Sequence, residues 1–322
     1  MTISVNESIV KRFGQFIQNS CLGHAYLFVG PIRVGKTSTA VRIAQLANCE
    51  KVISGGPCGS CESCVKISKT IHPDVVLLTA DESGSVKIEA VRQLTRLLQL
   101  KPYEGKKKVC IIKNIEDLTV EGANALLKTL EEPSADSLLL LTTAFPDRVL
   151  STVKSRCQII HFFSLTAEKL KEHLMSGQNL SEEISHFLAF FSEGNHGLAE
   201  KLREQKIYQH KDEVMDNFLL THDSETFLNG IVSDKDKTRE TLQILLSFFR
   251  DLILLQTGIN SVRLIHKDRI ADLKKINSRF SFDEISDCFS EVVKTTQMLE
   301  DNFNIKIALT VIKELCTDRK LS

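Results

Sequence analysis

The chain has 322 residues, with 41 Lys and Arg balanced by 41 Asp and Glu, so its formal net charge is +0. At 42% hydrophobic and 25% charged residues it has the composition of a folded chain, which excludes wholesale disorder. No stretch approaches 18 uncharged apolar residues, which excludes a transmembrane helix, and the neutral balance argues against a free-standing, strongly basic DNA binder.

The length suits about two or three domains. The first twenty residues carry Glu7, Lys11 and Arg12 and lack the apolar core of a signal peptide, and the cysteine count, nine, is odd. Together these predict a reducing, cytoplasmic setting without disulfides and no membrane association. Ile9, Val10, Phe13, Phe16 and Ile17 have helical spacing. Ala25-Tyr26-Leu27-Phe28-Val29 is a short apolar run ending at Gly30, the pattern of a buried parallel strand. A helix is predicted over 36–47, a strand over 75–78 and an amphipathic helix over 88–100. Two further strands are predicted over 109–112 and 138–141, with a helix over 123–130 between them. A last strand covers 158–163. Repeated alternation of strand and helix predicts a parallel sheet with helices on both faces. After Phe163 the pattern is helical: 166–175, 181–192, 195–204, and again from about 214. The polar stretch 203–213 reads as the boundary to a third region.

Gly30-Pro31-Ile32-Arg33-Val34-Gly35-Lys36-Thr37 matches G-x-x-x-x-G-K-[ST] in the required context, after a strand and opening a helix. Glycines let backbone N–H groups turn inward around a phosphate, Lys36 reaches the β- and γ-phosphates, and the Thr37 hydroxyl is placed for Mg²⁺. Gly30, Gly35, Lys36, Thr37 and Ser38 are the candidate ATP- or ADP-binding residues. Hydrolysis needs acids at the end of a later buried strand. After Val109-Cys110-Ile111-Ile112 come Lys113 and Asn114 instead. Glu116 and Asp117 read as solvated loop acids, since a bulge shifts register by one residue rather than three. A nucleotide fold with disabled hydrolysis is predicted. Lys106-Lys107-Lys108 reads as a solvated loop. Thr142 and Thr143, which close the strand after Leu141, read as turn or capping residues. Cys21, Cys110, Cys288 and Cys316 read as small core residues.

Cys49, Cys58, Cys61 and Cys64 form C-x8-C-x2-C-x2-C, with glycines at 55, 56 and 59 that permit a tight loop. Four thiolates at this spacing suit tetrahedral Zn²⁺. A site with four cysteine ligands is closed, so its role is structural.

The run from His24 to Pro31, the phosphate loop, the inserted cysteines, the segment Ala123-Asn124-Ala125-Leu126-Leu127-Lys128-Thr129-Leu130-Glu131-Glu132-Pro133 and Ser155-Arg156-Cys157 resemble, in that order, the bacterial clamp-loader branch of the AAA+ ATPases. The resemblance covers roughly residues 1–165. It implies an α/β AAA+ P-loop domain, a parallel sheet flanked by helices, over 1–164 with the zinc insertion at 49–64. A small helical lid over 165–207 and an all-α collar and oligomerisation domain over 208–322 would follow. The family's motor subunits, gamma/tau, keep an Asp-Glu pair eleven and ten residues before the hallmark Asn; counting back from Asn124 gives Lys113 and Asn114. They also carry a lid-helix Arg, whereas the segment from Gly194 to Glu200 has none. The pattern resembles the stationary delta-prime class. That class implies an arginine finger, Arg156, completing a neighbour's ATP site in trans. It also implies a bound nucleotide that is not turned over or an empty phosphate loop. The implied partners are gamma/tau and delta subunits in a hetero-pentamer, with the sliding clamp and primer-template DNA reached through the assembled complex. The alternative is an active gamma/tau-type ATPase. A zinc-ribbon nucleic-acid binder is disfavoured, because Trp is absent and there are three Tyr, too few for a stacking platform.

Overall fold

A computed structural model of the chain describes residues 6–81, 84–220, 225–258, 263–299 and 304–317. Contacts divide it into two compact units, 1–164 and 165–322.

The first unit alternates strand and helix: α1 (Glu7–Gln18), β1 (Ala25–Val29), α2 (Lys36–Asn48), α3 (Glu62–Ser68), β2 (Val75–Leu78), α4 (Ile88–Gln99), β3 (Lys108–Ile112), α5 (Val120–Glu131), β4 (Ser137–Thr143), α6 (Ser151–Lys154) and β5 (Gln158–His161). The five strands form one parallel sheet in the order β2-β3-β4-β1-β5. The two-residue period of a strand sends Tyr26, Phe28, Val109, Ile111, Leu138 and Leu140 into one apolar layer with Phe13 of α1 and Ile43 of α2. The alternate residues Leu27, Cys110, Ile112, Leu139 and Leu141 pack on the opposite face with Leu94 of α4 and Leu126 of α5. This is the double-sided burial that makes these strands read as unbroken apolar runs.

Three readings of the sequence are corrected. Lys108 belongs to β3 and is buried, with Nζ 3.0 Å from Asp74. Asp74 also accepts the N–H groups of Tyr103, Glu104 and Gly105, each at 2.8 Å. Burial alone would raise this carboxyl, but those donors and Lys108 hold it below its ordinary range. Of the basic triplet, Lys106 is exposed and Lys107 half-buried, the latter pairing with Ala135 O and Asp136. Cys21 is exposed rather than a core residue, whereas Cys110 and Cys288 are buried.

The third correction lies in the second unit, which is built from α7 (Ala167–Gln178), α8 (Glu182–Phe191), α9 (His196–Glu204), α10 (Ile207–Val214), α11 (Glu225–Val232), α12 (Lys235–Gln256), α13 (Ile270–Asn277), α14 (Phe282–Met298) and α15 (Ile305–Thr317), with a π-helical turn at Met215–Leu220. The polar stretch 203–213, read as a boundary, is mostly α9 and α10, and Lys211 within it is fully buried. Its ammonium pairs with Asp268 and Asp212 and lies 4.0 Å from the Tyr208 ring centroid and 5.2 Å from that of Phe187. A buried lysine is tolerated when charge and aromatic faces replace its water. One apolar cluster runs from Leu170 to Ile312, so the segments 165–207 and 208–322 share a core.

Candidate nucleotide-binding site and metal centre

β1 ends at Val29, and the Gly30 N–H reaches across to the Thr143 carbonyl at 3.3 Å, which starts the loop at the carboxyl edge of the sheet. Open α/β sheets bind their ligands at that edge. Gly35 has φ +89°, a conformation that favours glycine, and a Cβ there would also sit 2.8 Å from Asn6 Nδ2. The Asn6 amide donates to the Val34 carbonyl at 2.9 Å and fixes the loop from outside. Lys36 opens α2 and is buried, and its Nζ donates to Gly30 O at 2.6 Å and Pro31 O at 2.7 Å. The ammonium is thus folded into the loop that would receive a phosphate. Burial lowers its pKa, and the Glu116 carboxylate opposes that shift. Thr37 is half-buried and Ser38 is exposed, with its hydroxyl donating to Gly35 O at 2.9 Å. The structure therefore gathers Gly30, Gly35, Lys36, Thr37 and Ser38 around one loop at a helix N-terminus. These residues fit a nucleotide phosphate with Mg²⁺: a left-handed glycine and a buried cation sit at the helix N-terminus, and Thr37 beside them is of the type that ligates Mg²⁺.

The carboxyl end of β3 bears Lys113, exposed, and Asn114, left-handed at φ 52° with its N–H on Thr142 Oγ1 at 3.0 Å. Neither is an acid. Thr143 Oγ1 accepts the Phe145 N–H at 3.0 Å and holds a turn, whereas Thr142 ties the end of β4 to the chain leaving β3. Glu116 is where the sequence misleads. It is half-buried, Oε1 accepts the Ala144 N–H at 3.0 Å, and Oε2 is buried without a hydrogen-bond partner among the described residues. The short 3₁₀ turn Ile115–Asp117 carries it back toward the end of β4, beside the strand that feeds the phosphate loop. No bulge is involved. Counting along a strand misses a residue delivered by a turn; the apolar Ile115, buried on the sheet, was the available signal.

Arg156 follows α6. Its Nε and Nη2 donate to Glu131 Oε1 at 2.9 and 2.6 Å, and Nη1 to Thr152 O at 3.0 Å and Ser155 Oγ at 3.3 Å. Sequence reasoning named the arginine and missed its partner.

The four cysteines meet. Their sulfur atoms all lie within 4.8 Å of one another, with Cys58 and Cys64 at 4.0 Å. Tetrahedral Zn²⁺ with bonds of about 2.3 Å needs sulfurs slightly under 4 Å apart, so the set fits after a small contraction. Cys49 closes α2, Cys61 caps α3, and Cys64 lies in α3's first turn. N–H groups of Cys58 and Cys61 point at the sulfurs of Cys49 and Cys58, both at 3.3 Å. Amides of Cys61 and Ser60 pull the Cys58 thiol down to about 6, while burial pushes Cys49 and Cys64 up. The seven-residue α3 was not predicted from sequence; it presents Cys64 and buries Ile67.

No helix among the described residues is long and apolar enough to cross a membrane. A family described as DNA polymerase III, delta subunit, matches residues 5–166, and one described as DNA polymerase III, delta subunit, C terminal, matches 205–316. The DNA polymerase III subunit delta' of Bacillus subtilis (strain 168) is 28% identical over 308 residues, covering 92% of both chains. The subunit delta' of Pseudomonas aeruginosa is 38% identical over 135 residues, 42% of this chain and 41% of that one. The subunit tau of Salmonella typhimurium is 38% identical over 163 residues, 50% of this chain but 25% of that one. This chain spans nearly the whole Bacillus relative and matches only part of the other two. With a parallel sheet, a phosphate loop and the two matches that cover most of its length, the chain belongs to the DNA polymerase III delta-subunit family of clamp-loader proteins.

Proposed function

We propose that the chain is a delta-prime-like stator of the clamp loader, which turns over little or no ATP itself and offers Arg156 to a neighbouring motor subunit. The observation that carries this reading is the carboxyl end of β3, where Lys113 and a left-handed Asn114 occupy the places of the hydrolytic acids. The near end-to-end match to a delta' chain supports it further. An arginine presented outside the sheet can bind a phosphate and stabilise charge developing during phosphoryl transfer.

In this reading the sheet domain keeps a phosphate loop that binds ATP or ADP without consuming it. Lys36 leaves the Gly30 and Pro31 carbonyls for the phosphates, Thr37 faces Mg²⁺, and loop amides supply the rest. Mg²⁺ would neutralise phosphate charge. Cys49, Cys58, Cys61 and Cys64 hold Zn²⁺ and pin the loop after α2. The segment 165–207 serves as lid and 208–322 as the collar that joins gamma/tau and delta subunits in a pentamer. The complex holds the sliding clamp for primed DNA.

The test is ATP turnover by the assembled complex. Arg156→Ala depresses it and Lys36→Ala leaves it intact if the chain is a stator. Loss of turnover on Lys36→Ala, with none on Arg156→Ala, makes the chain a motor. One observation favours that second reading, an active gamma/tau-type ATPase: Glu116 brings a buried, unshared carboxylate oxygen to the region of Lys36. Glu116→Gln would then abolish the chain's own turnover; in a stator it changes nothing but nucleotide affinity.

A further inference from the structure

We propose that Glu131 is a parking site for Arg156, one that a neighbouring subunit's nucleotide triphosphate must displace before the arginine can act. This rests on the reading of Arg156 as a residue working in trans and adds the group that restrains it.

Nε and Nη2 of Arg156 converge on a single Glu131 oxygen, at 2.9 and 2.6 Å, while Nη1 is taken by the Thr152 carbonyl and the Ser155 hydroxyl. A guanidinium has five N–H groups. With these contacts made, the chain leaves no pair of parallel N–H groups for the bidentate grip that phosphate favours. The parked arginine is also neutralised. An approaching phosphate meets the Glu131 carboxylate at the same place, so carboxylate and phosphate exclude each other.

Glu131 ends α5, where the helix dipole disfavours an acid, so helix stability does not account for this carboxylate. Arg156 compensates it from 25 residues away. The pair is shallow, with side chains 36% and 51% exposed. Exposed ion pairs are weak enough to exchange readily. A triphosphate carries more charge than a carboxylate and offers more acceptor oxygens, so it wins once it is docked nearby. The arginine is then withheld from an empty neighbour and released to a loaded one.

The experiment uses the full chain assembled with its motor and clamp-opening partners, and follows turnover across ATP concentrations for wild type, Glu131→Gln, Arg156→Ala and the double variant. Glu131→Gln keeps the shape and removes the competing charge. The apparent KM for ATP should fall about two- to fivefold, the range exposed pairs support, and the effect should vanish in the Arg156→Ala background. A merely structural role would not produce a KM effect that depends on Arg156. An unchanged KM, or a fall in kcat resembling that of Arg156→Ala, overturns the parking role while leaving the arginine's action in trans intact. Unchanged turnover in Arg156→Ala overturns the action in trans and the parking role with it.

Discussion

Helix α2 carries a glycine-bearing loop at each end, and the two are built on opposite terms. At the N-terminal end the buried cation already has partners inside the chain. Lys36 caps two carbonyls of its own loop and Asn6 caps a third. A phosphate must therefore compete with those carbonyls for Lys36. At the C-terminal end four sulfurs crowd within 4.8 Å, held to the backbone by two N–H···S contacts of 3.3 Å and by the Cys49 thiol on the Lys51 carbonyl at 3.1 Å. Reduced thiols give little back for being brought together, and a cation gives a great deal. One end is a site that can wait, the other a site whose geometry depends on being filled.

The largest expected effect is therefore at the cysteine end. A chelator, or Cys64→Ser, should release bound zinc from one equivalent per chain to none. It should also lower stability by about 4 kcal/mol where free zinc stands a thousandfold above its Kd. Thermal unfolding with and without chelator, beside elemental analysis, measures both. Unfolding that ignores the chelator would mean the two ends are alike after all.

The cysteine end also has a metal-free brace, and the second prediction separates it from the metal. Asn48 Oδ1 takes the N–H groups of Lys106 and Lys107 at 2.8 and 2.9 Å, Lys106 reaches the Cys49 carbonyl, and Asp74 holds the same segment and Lys108. Asp74→Asn leaves a buried ammonium facing an amide and should cost about 3 kcal/mol, as breaking a buried pair does, with zinc content unchanged. The pH dependence has a definite sign. The folded carboxyl titrates below its ordinary 3.8, so its stabilisation is present above that pH and is lost as the pH falls further. Acid unfolding monitored below about pH 4 should be steeper in wild type than in Asp74→Asn.

How far the sequence could be read follows from the same physics. Strands buried on both faces announce themselves, and β1 falls where the apolar run from Ala25 to Val29 predicts it. The cysteine set was legible because its chemistry is local in sequence. What escaped depends on partners far along the chain. Lys108 looked solvated because Asp74, 34 residues earlier, does not show in its neighbourhood. Lys211 was lost in a polar stretch read as a boundary because Asp268 and Phe187 lie far from it along the chain. Glu116 looked solvated because strand register predicts nothing about the turn that follows. In the site, loop residues were readable from their motif; the groups that restrain them, Asn6, Glu116 and Glu131, were not.

A smaller effect tests how tightly the cysteine loop is seated. Gly14 of α1 faces Gly55, and a Cβ at 14 would meet the Gly55 carbonyl oxygen at 2.5 Å. Backbone cannot yield as a side-chain tip can, so Gly14→Ala should cost about 2 kcal/mol, within the range for overpacking. Zinc content should hold. If stability is unchanged, α1 and the loop are separable and the cysteine end rests on its metal and brace alone.

The smallest stability effect is the most telling for the phosphate loop. Burial lowers the Lys36 pKa, so the folded state disfavours the charged form relative to the unfolded chain. Desolvation of the ammonium therefore opposes folding below the lowered folded value, and that penalty fades as the pH rises and is gone above the unfolded value of 10.5. Two short bonds to Gly30 and Pro31 offset this. Lys36→Met removes the charge and the bonds together while keeping most of the apolar stem. Stability should stay within about 1 kcal/mol of wild type, the scale of a single net hydrogen bond, while binding of a fluorescent ATP analogue should be lost. A protein that gives up its ligand but not its stability has kept that lysine for the ligand, a common outcome where stability and function compete. If Lys36→Met instead unfolds the domain with binding never measurable, the ammonium is a structural cap. The N-terminal end of α2 would then be the one that cannot stand unaided.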